Sequence, residues 1–378
     1  MVNRREFLEK GVVVGAAAAG SWPKGIRAMD EPQEVGQLVA QTGSLVVDGT
    51  NVSALTDDYI GQMRSAGVDV WVHNRVSTES SGLPYFTRVH DYADRNSDRL
   101  ALVTTVREMR EAKAAGKLAM VMGWQAATPF EGVLSDWSRK PPSIDLRAYY
   151  ELGLRSCGIT YNISNRFGGG CTDEWNGLTL AGRYIVERFH EMGIVVDVGG
   201  HTGERASLDV VEGSPGVPII CSHTNCRALM DNPRNTTDRV IEGVAATGGV
   251  VGMTALNDFV ARSRNDVGIR TTPQVGIDAL LDHYDHVRRL VGAEHVGIGT
   301  DFTAGFPGTD PYQGEGSFIA PAIVYSAQET WTYVEGFETI TELPNLREGL
   351  RRRGWSTGDI ENAMGNNWTR VFQQVWGK

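Results

Sequence analysis

The stretch Gly193-Ile194-Val195-Val196-Asp197-Val198 shows the pattern from which the fold can be predicted. It is a short apolar run, and the segment before it, Leu178–Met192, has the apolar spacing of a helix. A continuous apolar run is typical of a strand that is buried on both faces of a parallel sheet. Gly193 lies between the two elements, where a helix is expected to end.

The same succession of helix, glycine and apolar run recurs along the chain. We predict eight strands, at Ser44–Asp48, Val68–His73, Leu118–Trp124, Arg155–Tyr161, Ile194–Val198, Val217–Ser222, Gly249–Met253 and His295–Asp301. Strands that alternate with helices in this number predict the α/β class and a (β/α)8 TIM-like barrel. With closing helices at its C-terminal end, the barrel is expected to form a single domain over residues 40–378.

The composition restricts the classes of function. The 378 residues carry 36 Lys and Arg against 46 Asp and Glu, and a net charge of −10 argues against a nucleic-acid binder. No apolar stretch reaches about 18 residues, which excludes a membrane-spanning bundle. Four cysteines are too few for a disulfide scaffold. Free buried thiols are expected, and pairing of Cys157 with Cys171 or of Cys221 with Cys226 stays open.

Residues 1–30 have the layout of an export signal. A basic start with Arg4, Arg5, Phe7 and Leu8 precedes a short, weakly apolar run of small residues. The paired arginines resemble a twin-arginine signal, so we expect a periplasmic or secreted protein. The alternative is an amphipathic N-terminal helix.

Polar side chains follow the predicted strands, where the active site of such a barrel lies. They are Asp48, His73, Gln125, Tyr161, Asp197, His201, His223 and Asp301. A single histidine at a strand end is more often a hydrogen-bonding loop residue than a ligand. Two histidines after successive strands, His201 and His223, favour a divalent metal site instead. Four other histidines lie in helical segments and are expected at the surface: His90, His190, His283 and His286.

Several blocks resemble the membrane dipeptidase (renal dipeptidase) family of metallopeptidases. The most specific are Ser222-His223-Thr224-Asn225-Cys226-Arg227 and Pro233-Arg234-Asn235-Thr236-Thr237-Asp238. The further blocks are Tyr150–Arg155, Ile194–Asp197, Gly248–Gly252, His295–Phe302 and Gly365–Val371. The resemblance implies a barrel of the amidohydrolase/dipeptidase type that binds two zinc ions and hydrolyses dipeptides and related amides.

The chain departs from the family pattern on one side of the implied site. Thr50 and Val52 stand where the first strand of the family carries a histidine and an aspartate ligand. Gln125 replaces the glutamate that bridges the two metals, and Tyr161 replaces a histidine that polarises the scissile carbonyl. A binuclear centre is therefore not expected.

The other side of the implied site is retained. His201 and His223 match metal ligands, although the stretch before His201 is one residue longer than the family pattern. Asp301 matches a carboxylate that binds metal and transfers protons, and Arg234 matches an arginine that holds the substrate carboxylate. Members of the family thus suggest roles for these four residues.

We therefore predict one divalent ion, with zinc as first candidate, on His201, His223, Asp301 and Gln125. Asp301 and Tyr161 are the predicted catalytic residues. The predicted substrate-binding residues are Arg234, Asn235 and His73, the last also a possible replacement ligand. The expected substrate is a dipeptide or a small amide with a carboxylate, and a homodimer is a candidate assembly. Two alternatives stay open: a catalytically inert barrel that binds a small carboxylated ligand, and a barrel adapted to elimination or isomerisation.

Overall fold

The computed structural model describes residues 43–131, 143–261, 274–304 and 332–377. These ranges fall within one compact unit, Leu38–Lys378, and the single domain over residues 40–378 stays a prediction. The predicted export signal lies outside the described residues. No helix within the described ranges is long and apolar enough to cross a membrane.

Nine parallel strands form the sheet. They are β1 (Val47–Asp48), β2 (Val70–Arg75), β3 (Leu100–Leu102), β4 (Leu118–Trp124), β5 (Leu154–Gly158), β6 (Val195–Asp197), β7 (Ile220–Thr224), β8 (Val250–Met253) and β9 (Val296–Ile298). Eight of them close a ring in the order β1, β2, β4, β5, β6, β7, β8 and β9, with β9 paired back to β1. The predicted (β/α)8 TIM-like barrel is confirmed.

Helices cover the outside of the ring. They are α1 (Asp57–Ser65), α2 (Glu79–Arg95), α3 (Val106–Ala114), α4 (Ser143–Glu151), α5 (Leu180–Met192), α6 (Glu204–Glu212), α7 (Asp238–Ala246), α8 (Asn257–Val260), α9 (Ile277–Val291), α10 (Leu343–Arg352), α11 (Thr357–Glu361) and α12 (Asn367–Trp376). A π-helical turn, Asn362–Asn366, joins α11 to α12.

The short strand β3 lies outside the ring and was not predicted. It pairs with the first half of β4, Leu100 opposite Leu118, whereas β5 pairs with the second half, Cys157 opposite Trp124. One strand can serve both neighbours because each of them covers only part of its length. The eight ring strands correspond to the eight predicted ones.

The side chain of Trp368, on α12, fills part of the barrel interior. It is fully buried, it belongs to the same apolar cluster as Val47, Val70 and Val250, and its indole N–H donates to the Ile298 carbonyl at 3.1 Å. Three glycines face the indole: a Cβ at Gly49 or Gly297 would overlap it, and a Cβ at Gly252 would approach it to 3.0 Å. Because these positions are glycines, the barrel has room for the indole of Trp368.

Two expectations about polar residues are decided by burial. His283 is buried on α9, where its Nδ1 accepts a hydrogen bond from the Cys226 backbone N–H at 3.0 Å, so its expected surface position was wrong. The four cysteines are free and buried, as expected.

Candidate metal centre and substrate pocket

Two imidazoles face each other at the carboxyl ends of neighbouring strands. His223 lies within β7, and His201 lies in the loop that follows β6. Their Nε2 atoms are 3.0 Å apart, and the two rings meet edge to face. Both side chains are buried, at 0% and 2% exposure. Burial and the nearby Arg234 charge hold the pKa of both imidazoles well below the usual value, so both rings are neutral at pH 7.

The orientation of His223 is set by Ser222 and Asp197. Asp197 Oδ1 accepts from the backbone N–H groups of Gly199 and Ser222, at 2.7 and 2.9 Å, and its Oδ2 accepts from the Ser222 hydroxyl. Burial raises the pKa of Asp197 to about 6, and three donors keep it ionised at pH 7. The Ser222 proton is therefore committed to Asp197. Ser222 Oγ can only accept from His223 Nδ1, 2.8 Å away.

The orientation of His201 is set by Asn162. Asn162 Oδ1 accepts from His201 Nδ1 at 2.8 Å and from the Cys171 thiol at 3.6 Å. The backbone of Asn162 has φ 61°, a left-handed conformation that asparagine adopts more readily than most other residues with a side chain.

Both Nδ1 protons are thus used, and two unprotonated Nε2 atoms point at each other. Neutral imidazole has a single N–H, so no proton is left between His201 and His223. Two facing lone pairs are unfavourable alone and are the donor arrangement that Zn²⁺ prefers, with each second ring nitrogen hydrogen-bonded to a supporting group. The pair therefore fits a metal ion.

The remainder of the predicted ligand set is not gathered around the pair. Among the described residues, no three His, Cys, Asp or Glu side chains form a metal-binding cluster. The residues that the structure describes thus fit an ion on one side of the site, through two imidazoles, and do not provide the carboxylates that a second ion would need.

Asp301 follows β9 and is buried, at 3% exposure. It has φ 57°, its N–H donates to the Thr50 carbonyl at 2.9 Å, and its carbonyl accepts from the Tyr333 hydroxyl. Burial raises the pKa of Asp301 to about 7, Arg234 opposes the rise and Asp48 adds to it. A carboxylate with this pKa can accept a proton near neutral pH.

Gln125 extends β4 on the interior side of the barrel and is 4% exposed. Its Nε2 donates to the Asn74 carbonyl at 3.4 Å. Thr50 accepts from Asn74 Nδ2 at 3.2 Å. Two of the positions that depart from the family pattern, Thr50 and Gln125, thus belong to a neutral hydrogen-bonded group, and Asn74, which sequence reasoning missed, is its centre.

Arg234 is buried and makes no ion pair with any residue that the structure describes. It is 0% exposed, its guanidinium lies over the ring of Phe259 at 4.8 Å, and none of its three side-chain nitrogens has a hydrogen-bond partner. Its charge acts on His201 and His223, which places it beside the pair. A buried guanidinium with free donors requires an anion, and a carboxylate matches its planar geometry.

Tyr161 and Asn235 take different places in the site. The ring of Tyr161 stacks on that of His201, with centroids 4.0 Å apart. Asn235 Nδ2 donates to the carbonyls of Met230 and Phe259, at 2.8 and 2.9 Å, so this side chain ties together the loops that support Arg234. Its predicted contact with substrate stays a prediction.

His73 is not brought to the imidazole pair. Its ring nitrogens bond to the Tyr85 hydroxyl at 2.9 Å and to the Ser53 carbonyl at 3.2 Å, and its ring packs on Trp71. These contacts lie on the outer, helix-covered face of β2, because Val70 and Val72 face the interior. The geometry does not support His73 as a ligand of the pair or as a substrate-binding residue.

The supporting residues Asn162, Ser222 and Asn74 were missed in the sequence. Ser222 directly precedes a candidate ligand, and Asn162 directly follows Tyr161, so both were adjacent to predicted positions. Their roles depend on hydrogen-bond direction, which spacing does not reveal.

Comparisons with known proteins agree with this architecture. A family model described as Membrane dipeptidase (Peptidase family M19) matches residues 62–311. An uncharacterized protein in the pqqA 5' region of Klebsiella pneumoniae is 28% identical over 289 residues, covering 74% of this chain and 91% of its own length. Dipeptidase 3 of Rattus norvegicus is 28% identical over 237 residues, or 61% of this chain, but only 41% of its own length is spanned.

Solved structures show the same fold. An amidohydrolase from Pseudomonas aeruginosa superposes with a TM-score of 0.74 at 28% identity, covering 91% of this chain and 99% of that one. A metallo peptidase from Rhodobacter sphaeroides, liganded with a phosphinate mimic of the dipeptide L-Ala-D-Ala, superposes with a TM-score of 0.69. At 21% identity, with 88% of this chain and 100% of that one covered, this second likeness concerns the fold alone.

Proposed function

The chain belongs to the membrane dipeptidase family, peptidase family M19, and from this premise we propose that it is an exported, metal-dependent amidohydrolase. Its proposed substrate is a dipeptide or another small amide with a carboxylate. We propose one tightly held ion, zinc, rather than two. The observation that carries this proposal is the pair of facing, unprotonated Nε2 atoms of His201 and His223.

His201 and His223 would hold the ion, which supplies Lewis acidity that polarises a carbonyl and lowers the pKa of a water molecule. Asp301 is the group that takes up a proton, since its raised pKa matches neutral pH. Arg234 binds the substrate carboxylate and so fixes the orientation of the scissile bond. Tyr161 covers one face of His201, and its predicted role as hydrogen-bond donor to the reacting carbonyl stays part of the proposal.

The substrate class rests on Arg234. Three unpartnered nitrogens in a buried guanidinium would leave a substantial desolvation cost unless an anionic ligand binds there. In a dipeptide, the amino acid that leaves on hydrolysis carries the C-terminal carboxylate.

The full chain should be purified, and its metal content measured by mass spectrometry alongside hydrolysis of a dipeptide panel. We expect about one ion per chain and turnover of at least one dipeptide. The His223→Gln variant should lose both, because it removes one of the two imidazole donors. A folded protein with neither metal nor turnover would defeat the proposal.

A second candidate is a barrel that binds a carboxylated ligand without hydrolysing it. It is favoured by the absence of a third ligand near the pair within the described ranges. Retained binding of a dipeptide, unaffected by chelator and without turnover, would select this candidate. Conversion of a ligand without water uptake would instead select elimination or isomerisation.

Export is proposed on the basis of residues 1–30. If the twin-arginine signal operates, replacement of Arg4 and Arg5 by lysine should retain the protein inside the cell, as measured by cell fractionation. Unchanged export of that variant would contradict the route. Dimerisation stays a prediction that size-exclusion chromatography with light scattering can decide.

A further inference from the structure

Three neutral side chains line the barrel mouth across from the imidazole pair. Thr50 follows β1, Asn74 lies in β2 and Gln125 follows β4. On the other side of the ring, His201 follows β6 and His223 lies in β7. Their exposed fractions are 0%, 0% and 4%. We call Thr50, Asn74 and Gln125 the neutral wall.

Hydrogen-bond directions in the neutral wall are fixed by the single proton of Thr50. That proton is donated to the Gly49 carbonyl at 2.7 Å, so Thr50 Oγ1 can only accept from Asn74, 3.2 Å away. The Asn74 amide must therefore turn its nitrogen to Thr50 and its oxygen to the barrel interior. There Asn74 Oδ1 lies over the Cα of Gly123, buried and without a partner.

Gln125 adds a second acceptor. The Nε2 of Gln125 donates to the backbone carbonyl of Asn74, which can only accept. The Oε1 of Gln125 is therefore the atom left for a ligand. Within the described ranges no hydrogen bond to Oε1 is formed. The nearby Asp48 carboxylate is already occupied by the Thr300 N–H, the Thr300 hydroxyl and Asn51. The three side chains of the neutral wall thus present acceptors and carry no charge themselves. The Asp301 carboxylate, whose backbone N–H bonds to the Thr50 carbonyl, is the group that takes up a proton in the proposed function.

We propose that the neutral wall binds an uncharged N–H group on the acyl side of the substrate. The preferred substrates are then N-acylated dipeptides rather than dipeptides with a free α-ammonium group. This inference rests on the proposed function and names its substrate class more closely. Arg234 holds the C-terminal carboxylate, and Asn74 and Gln125 accept from the acylated nitrogen.

The charge balance favours the acylated nitrogen. A buried ammonium group that meets only neutral acceptors keeps an uncompensated charge, whereas an amide N–H needs only a hydrogen-bond acceptor. An amide donor also satisfies Asn74 Oδ1, which otherwise remains an unpaired buried acceptor. Hydrolysis breaks the C–N bond of the C-terminal peptide link. Water supplies the hydroxyl to the carbonyl carbon and a proton to the leaving amine, so no further reactant is required.

Binding to the full chain should be measured by calorimetry with two uncleavable phosphinate analogues of Ala-Ala, one with a free amine and one N-acetylated. We expect the N-acetylated analogue to bind about tenfold more tightly or better, since only its nitrogen is uncharged at pH 7. A propionyl analogue without this nitrogen should bind more weakly than the acetylated one. Equal or tighter binding of the free amine would overturn the inference.

The Gln125→Glu variant should reverse this preference, because it places a carboxylate in the neutral wall with almost no change of shape. Asn74→Asp is the second variant, in case the first does not fold as judged by circular dichroism. Gln374→Glu makes the same chemical change at an exposed position of α12 and should keep the preference of the parent chain. A preference that is unchanged in both wall variants would overturn the inference.

Turnover separates this inference from the proposed function. Faster hydrolysis of N-acetyl-Ala-Ala than of Ala-Ala is expected. Faster hydrolysis of Ala-Ala overturns the inference and leaves the proposed function standing. Hydrolysis of neither peptide defeats the proposed function, whereas the binding comparison still decides the inference.

Discussion

Gly200 shows how one residue can control a buried charge. Its φ of 55° is left-handed, and a Cβ at this position would overlap Nη1 of Arg234. The backbone before His201 therefore leaves room for the guanidinium only because it has no side chain there. The same loop thus carries one imidazole of the pair and admits the arginine beside it.

Replacement Gly200→Ala should weaken binding of carboxylate ligands by displacing Arg234. The control is Gly216→Ala, since Gly216 has φ 73° and nothing within 4 Å of an added Cβ. Both variants should lose about 1–2 kcal/mol of stability through the left-handed backbone. Only Gly200→Ala should lose its preference for a dipeptide over the corresponding C-terminal amide, as measured by calorimetry. Equal preferences in the two variants would contradict this role.

His283 makes stability depend on pH. Burial lowers its pKa to about 4 from an ordinary value of 6.5, so the unfolded chain binds a proton that the folded chain does not bind between these values. The stabilising contribution is complete above pH 6.5 and is lost as pH falls towards 4. The unfolding free energy of the His283→Gln variant should be lower than that of the parent at pH 7.5. This difference should be about 2 kcal/mol smaller at pH 5, because only the parent loses the contribution of His283. Urea denaturation at both values checks this, and a constant difference would refute it.

At the scale of elements, residues at the strand ends orient the two imidazole rings that are proposed to bind the metal. Asn162, after β5, and Ser222, in β7, each fix one Nδ1 proton. Asn162→Ala should lower zinc affinity by about 10–100-fold, which is the usual effect of losing a partner behind a histidine ligand. Competition with a chelating dye measures this, and Asn176→Ala, at an exposed position of the same loop, serves as control. Equal affinities in the two variants would exclude the orienting role.

Helix α12 contributes to the barrel through Trp368. Replacement Trp368→Ala should cost about 3–5 kcal/mol of unfolding free energy, because three glycines surround the ring and cannot fill the cavity. Trp175→Ala, at a residue that is 82% exposed, should change stability by less than about 0.5 kcal/mol. Denaturant titration compares the two. Similar losses would show that the indole is not part of the interior.

The ring strands could be predicted from sequence because each is a continuous apolar run. The same property hides which face a side chain takes: β2 is apolar on both faces, so nothing in Val70–Arg75 shows that Asn74 points inward and His73 outward. β3 has only three residues, Leu100–Leu102, too few for a periodic signal. His283, by contrast, lies three residues after Leu280 and one before Tyr284, on the apolar face of α9, and its burial could have been predicted.

For the whole molecule, the proposed metal site on the two imidazoles would couple metal binding to folding. His201 and His223 come from different strands and meet only in the closed barrel, so an ion bound by both stabilises the folded state alone. At free zinc about 100 times its dissociation constant, unfolding free energy should rise by about 2.7 kcal/mol. Thermal denaturation with and without zinc tests this. His223→Gln should show little response, and an equal response would place the zinc elsewhere.

The position of Trp368 in the chain also determines when the barrel can be completed. The indole that fills the space between β1, β8 and β9 is synthesised after all nine strands. During synthesis on the ribosome, the chain therefore has all its strands before it has the indole of Trp368. Stable closure of the barrel must wait until α12 has left the ribosome. Truncation before α12 would leave a cavity in the barrel interior. Proteolytic loss of this segment should therefore lead to degradation of the entire protein.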